Sequence, residues 1–221
     1  MKSKWAALVL AATACVLWSV PAQTAPQPSE VPIDWELEFQ FKPLRAMEIH
    51  IPGEPSPRLF WYLCYQVTNR TGQDRIFIPD FVLYTQTGQT IRAEQKVPVF
   101  VFDQMKKMLN DPFLTDTSGM IGKLLQGEDN AKSGLAIWPD FDPEAGNISI
   151  FVGGLSGETV EIPLPKPVRV TKMSAAGETK QVEVDKLVLS KTLQLSYSVP
   201  GEAKGRLHAP VNLVEEKWIM R

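Results

Sequence analysis

The sequence predicts an all-β protein, an antiparallel sandwich with one short helical insertion near residues 103–126. Three observations carry this expectation. Trp35, Leu37, Phe39 and Phe41 alternate with Glu36, Glu38, Gln40 and Lys42, the period of two that a half-wet strand requires. Leu59, Trp61, Leu63, Tyr65 and Val67 set one face of a second strand, and Phe60, Tyr62 and Cys64 make its other face apolar too, so this strand is covered on both sides where it begins. Finally, turn signals rich in Gly, Pro and Asn recur about every 8–12 residues, the spacing of sandwich or barrel strands.

The elements follow in order. Pro43 ends the first strand, and Glu48–Ile51 extends or restarts it. Pro52, Pro55 and Pro57 make a loop, because each removes a ladder donor. Asn69-Arg70-Thr71-Gly72 is a turn, with Asn and Gly where side-chain capping or φ > 0 is needed. Arg75–Ile78, Phe81–Tyr84 and Val97–Phe102 read as strands. The period then changes: Met105, Met108 and Leu109 repeat at helical spacing, with Asp103 as N-cap and Pro112 beyond. A second helix is expected over Ser118–Leu125, weakened by Gly119 and Gly122. Strands resume at Ser133–Trp138, Ile148–Val152 and Thr159–Pro163. A break at Pro163, Pro165 and Pro167 separates them from Val168–Met173. Gln181–Leu189, Leu193–Val199 and Val211–Met220 complete the set, with turns at Ala175–Glu178 and Pro200-Gly201.

The N-terminus reads as a secretory signal peptide over residues 1–22. Lys2 and Lys4 precede the apolar stretch Trp5–Val20, and Val20-Pro21-Ala22 gives a cleavage site after Ala22. The stretch is shorter than the ~20 residues that span a bilayer, which disfavours an uncleaved anchor. Ala12-Thr13-Ala14-Cys15 resembles a lipobox, yet Ala stands where Leu is usual and apolar residues follow the cysteine. Residues 23–32, with three prolines, form a lead-in. Removing Lys2 and Lys4 leaves 21 basic against 25 acidic residues, a net charge of −4. A mildly acidic chain without a basic run is a poor ligand for nucleic acid. Of two cysteines, Cys15 lies in the leader, so the mature chain keeps only Cys64 and has no internal disulfide. An exported domain without disulfides fits a periplasmic or extracellular bacterial protein better than a small stapled module.

Three patches resemble the immunoglobulin-like domains of exported bacterial proteins of unknown function. They are Tyr65–Gly72, Phe81–Tyr84 with its Thr87-Gly88 turn, and Gly134–Trp138 through Ile150–Ser156. The resemblance covers about residues 33–163 and implies an antiparallel immunoglobulin-like sandwich. The antibody-type cysteine pair is absent. Residues 164–221 match no pattern of that kind and are expected to pack as further strands on the same domain.

Catalytic chemistry is sparse. His50 and His208 are the only histidines. Ser156 sits in Gly154-Leu155-Ser156-Gly157, which lacks nucleophile-elbow spacing. Cys64 lies mid-strand, where a small apolar residue packs equally well. Asp140, Asp142 and Glu144 alternate like calcium-loop ligands, but the glycine falls one place late, Pro143 stiffens the loop and Phe151 occupies the position of the closing Glu. Glu36 with Glu38 reads as a wet strand face, and Glu215 with Glu216 as neighbours on opposite faces. Asn69 and Asn147 open glycosylation-type triplets, which carry no meaning in a bacterium. No catalytic, cofactor-binding or metal-ligating residue is assigned. The expected role is non-catalytic: a structural or interaction protein with an envelope or extracellular protein as partner. The alternatives are a small-ligand or glycan-binding module and, further off, a carboxylate-based enzyme.

Overall fold

A computed structural model of the protein describes residues 25–173, 179–199, 205–207 and 211–221. The signal peptide expected over residues 1–22, the turns expected at Ala175–Glu178 and Pro200-Gly201, and His208 lie outside the described residues. The architecture is an all-β sandwich of antiparallel sheets. In the first sheet the twelve-residue strand β3 (Arg58–Asn69) is central. β8 (Gly127–Pro139) runs along one edge of β3, while β1 (Glu38–Phe41) and β2 (Arg45–Ile49) share the other. The second sheet runs β6 (Thr90–Arg92), β5 (Asp80–Thr85), β9 (Asn147–Gly153), then β11 (Thr179–Ser198). β10 (Thr159–Met173) and β12 (Asn212–Met220) both pair with β11. A two-stranded sheet joins β4 (Arg75–Phe77) to β7 (Gly122–Leu124).

The alternation read from the sequence becomes the core. Trp61, Leu63, Tyr65 and Val67 of β3 meet Phe81, Leu83, Ile150, Val152, Leu193 and Leu195 of the opposing sheet. Gly134 on β8 lies under the Tyr65 ring, and a Cβ there would collide with it. The other face of β3 is also dry. Phe60, Tyr62 and Cys64, with Leu135 and Ile137 of β8, are covered by Val101 and Met105 of α1 (Val99–Met108). That i, i+4 pair explains why a strand pattern apolar on both faces belongs in a sandwich whose second face would otherwise be wet.

The helical insertion differs in detail from expectation. Val97–Phe102, read as a strand, enters α1 at Val99, and Asp103 lies inside the helix rather than at its cap. Burial of Val101 and Met105 over β3 and β8 outweighs the strand preference of a Val-Phe-Val-Phe run. The helix expected at Ser118–Leu125 is only the single turn α2 (Thr117–Met120), capped by the Asp116 side chain on Gly119 N–H at 2.8 Å. Gly122, at φ 136°, then starts β7. The proline break also behaves differently. Thr159–Met173 is one strand with an irregularity between Pro163 and Val168, and the two strands expected from Gln181 to Val199 are a single twenty-residue strand, β11.

Candidate functional site

Two buried cations organise the body. Lys191 stands in the core-facing register of Leu193, Leu195 and Tyr197 and is only 2 % exposed. Its ammonium lies 2.9 Å from Glu36 and 3.3 Å from Glu158, donates to Ser29 O at 3.2 Å and sits 5.1 Å from the Trp218 ring centre. Burial alone would lower the Lys191 pKa, but the two carboxylates outweigh it and the net direction is upward. Glu158 is held below the usual carboxylate range, first by the Ser29 backbone N–H at 2.8 Å and then by Lys191, against the opposing pull of burial.

Arg206 is the second cation. Its guanidinium donates to Phe141 O (3.0 Å), Asp142 O (2.6 Å) and Ala145 O (3.2 Å), and pairs with Asp140 at 3.3 Å. It also lies 4.6 Å from the Phe141 ring centre. Asp140 accepts a further hydrogen bond from Trp61 Nε1 at 2.8 Å. The calcium-like loop therefore does gather oxygens around a positive charge, and that charge is a side chain of the protein itself. Asp142 accepts from Glu144 N–H at 2.9 Å, and its carboxyl is held low, first by Thr87 and then by this bond. Glu144 is exposed. Among the described residues, no three His, Cys, Asp or Glu side chains gather as a metal-ion set.

The remaining candidates are separated. His50 is exposed. The Ser156 hydroxyl accepts from Glu158 N–H at 3.1 Å, a turn contact. Glu36 turns to Lys191 and Glu38 to Arg70, so the two do not act as a pair. Glu215 and Glu216 are exposed on β12. Asn69 is buried and locked, donating to Gln73 O and Leu124 O while accepting from Thr71. Cys64 is a free, buried thiol. Burial pushes its pKa up; Lys42 and Arg45 oppose that and Asp111 adds to it. The thiol borders a cleft of about 490 Å³ beside α1, lined also by Lys42, Arg45, Tyr62, Leu109 and Asp111. Neither Lys42 nor Arg45 forms an ion pair among the described residues.

The third feature is a projection. β11 is bordered by β9 and β12 only from Lys191 to Ser198. Its first half pairs with β10 alone, from Thr159↔Ser190 out to Met173↔Thr179. Beyond the sandwich this is a two-stranded ribbon with no second layer among the described residues. Val168, Leu187 and Val188 are each about half exposed, at 50, 49 and 49 %. An isolated two-stranded ribbon is marginal in water. The sequence pattern showed its strands but not their union into one arm. Lys191 had a readable signal, a lysine on a dry register, whereas Arg206 had none. No helix among the described residues is long and apolar enough to cross a membrane. Comparison with family models, with curated proteins and with solved structures returns no match.

Proposed function

We propose that this chain is an exported bacterial envelope protein with a non-catalytic interaction role, and that the β10–β11 ribbon is its contact surface. The immunoglobulin-like relationship belongs to the same proposal. The observation that carries the reading is the half-exposed apolar residues of the ribbon, which stand outside the core and have no layer over them among the described residues. A shortened chain, in which an Asn-Gly turn joins the paired residues Ile162 and Leu187, tests it. Cross-linking in cells should capture a partner with the full chain and lose it with the shortened one, at similar melting temperatures. Capture by both chains would move the contact elsewhere, and capture by neither would end the interaction reading. Export is tested by N-terminal sequencing, which should begin at Gln23; recovery of residues before Pro21 would contradict it. A screen over glycoside, peptide and ester substrates should be silent, and turnover abolished by Glu36→Gln or Glu38→Gln would favour the enzyme alternative.

The cleft beside Cys64 supports a second reading, a small-ligand binder. Two cations without ion pairs among the described residues, against the single carboxylate of Asp111, stand over a floor of Tyr62, Leu109 and Leu114 and suit a small amphiphilic anion. Protection of Cys64 from alkylation by decanoate but not by decanol would favour it.

A further inference from the structure

We infer that the open edge of β11, from Lys180 to Val188, accepts an extended segment of a protein partner as a third strand, and that this segment alternates apolar and basic side chains. The inference rests on the interaction reading above and narrows it to one edge and one chemistry.

The two edges of the ribbon are not equivalent. Along β10, Pro163, Pro165 and Pro167 remove three backbone donors, a device that protects an edge from pairing. β11 carries no proline over its first half. Backbone bonds at the base of the ribbon show which groups face outward. Ser190 exchanges both its bonds with Arg221, at 2.7 and 3.1 Å, whereas Lys191 N–H bonds Glu158 O on the opposite side. Antiparallel alternation then aims the N–H and C=O of Val182, Val184, Lys186 and Val188 to the side that β12 occupies further along. β12 reaches only to Met220↔Lys191, so no described strand pairs with these groups.

The side chains specify the occupant. Val182, Val184 and Val188 share the outer face of β11, while Glu183 and Asp185 continue its core-facing side and form no ion pair among the described residues. Over Val182–Asp185 a strand added here meets valines on one face and two carboxylates on the other, Glu183 lying across the ladder from Arg169; further along, Lys186, paired to Glu161, joins the valine face and Leu187 the carboxylate face. Opposite charges directly across a ladder stabilise and like charges destabilise. A second copy fits poorly in the registers centred on the two carboxylates. Antiparallel self-pairing about Val184 sets Glu183 against Asp185. Pairing about Glu183 sets Lys180 against Lys186, and pairing about Asp185 sets that residue against itself.

The test uses the mature protein and the peptide Val-Thr-Thr-Lys-Val-Lys-Val-Thr-Thr, with a control carrying Glu for Lys. Amide exchange is read by NMR. With the Lys peptide, exchange at Val182, Val184, Lys186 and Val188 should slow by about tenfold or more, and the Glu peptide should bind about tenfold more weakly. Val184→Pro removes only an outward donor and should abolish the protection. The double change Glu183→Lys with Asp185→Lys, which keeps every backbone donor, should reverse the peptide preference. Equal binding of both peptides, protection that survives Val184→Pro, or no protection at all would overturn the inference. So would concentration-dependent protection without peptide, which would make a second copy the occupant. The cellular cross-link separates the two readings: a partner lost on shortening the ribbon but kept equally by the charge-reversed chain leaves the interaction role standing and removes the strand-edge mechanism.

Discussion

One strand, β11, lives in two environments, and the contrast between its halves explains most of the molecule. From Leu193 to Tyr197 its core-facing residues are buried between sheets, flanked by β9 and β12. From Thr179 to Leu189 the same strand has, among the described residues, one neighbour and no layer above or below. The alternation does not stop at the boundary; what stops is the opposing sheet. A strand pattern thus reports which residues share a face, not whether anything covers that face.

The largest effect should come from comparing two leucines on one face of this strand. Leu195 is fully buried and Leu187 is half exposed. Leu195→Ala should cost about 2–5 kcal/mol by denaturant unfolding, while Leu187→Ala should stay within about 0.5 kcal/mol, as surface changes do. Similar losses would mean that the ribbon is packed in solution and the contrast is false.

The second comparison sets two cations against each other. Arg206 is fully buried among backbone carbonyls, and its removal leaves Phe141 O and Ala145 O without their donor. Arg206→Met should cost about 1.5–3 kcal/mol, the range for hydrogen bonds to a charged group. Lys186 pairs with Glu161 at 2.7 Å on the open ribbon, with both side chains about half exposed. Lys186→Met should change stability by less than about 1 kcal/mol. An equal cost at the two sites would show that the ribbon pair is shielded from solvent.

The same contrast governs what the sequence could disclose. The sandwich was legible because Trp61, Leu63, Tyr65 and Val67 repeat at period two and every one of them is buried. The start of α1 was not, because Val99–Phe102 has strand-like composition and it is the burial of Val101, with Met105, against Phe60 and Tyr62 that makes it helical. The acidic loop Asp140–Glu144 was legible as oxygen-rich but not as the seat of Arg206, since sixty-odd intervening residues carry no signal of that closure. The ribbon was hidden by its own prolines. Pro163 and Pro167 read as a break between strands, but on an outward edge they remove donors that pair with nothing.

A smaller, pH-dependent effect belongs to the body alone. Glu158 has a lowered folded pKa, so the stability it contributes is present above the unfolded carboxyl value of about 4.3 and is lost as pH falls through the lower folded value. Lys191 has a raised pKa, so its contribution is complete below about pH 10.4 and is lost as pH rises through the higher folded value. Stability should therefore hold between these limits and decline on either side. Glu158→Gln should lower the plateau and flatten the acid limb in melts run from pH 7 to pH 3. An unchanged acid limb would mean that other carboxylates, such as Asp74 beside Lys123, carry it.

The smallest effect is at single amides and probes the boundary most finely. In the buried half of β11 both edges are paired, so the amides of Leu193 to Tyr197 should exchange only through global opening. In the ribbon one edge is paired, and antiparallel alternation divides the amides into two classes. Glu183, Leu187 and Leu189 point toward β10 and should be protected, though weakly, because a two-stranded ribbon opens readily. Val182, Val184, Lys186 and Val188 point to the open side and should exchange near the rate of an unstructured chain. A residue-resolved exchange series on the protein reads this directly. A two-residue sawtooth from 182 to 189 that gives way to uniform protection from 193 onward is the expected pattern. Uniform protection across the ribbon would mean that a strand already lies along the open edge in the free protein. Uniform exposure would mean that β10 and β11 do not stay paired beyond the sandwich, and the contact surface would have to be sought on the body.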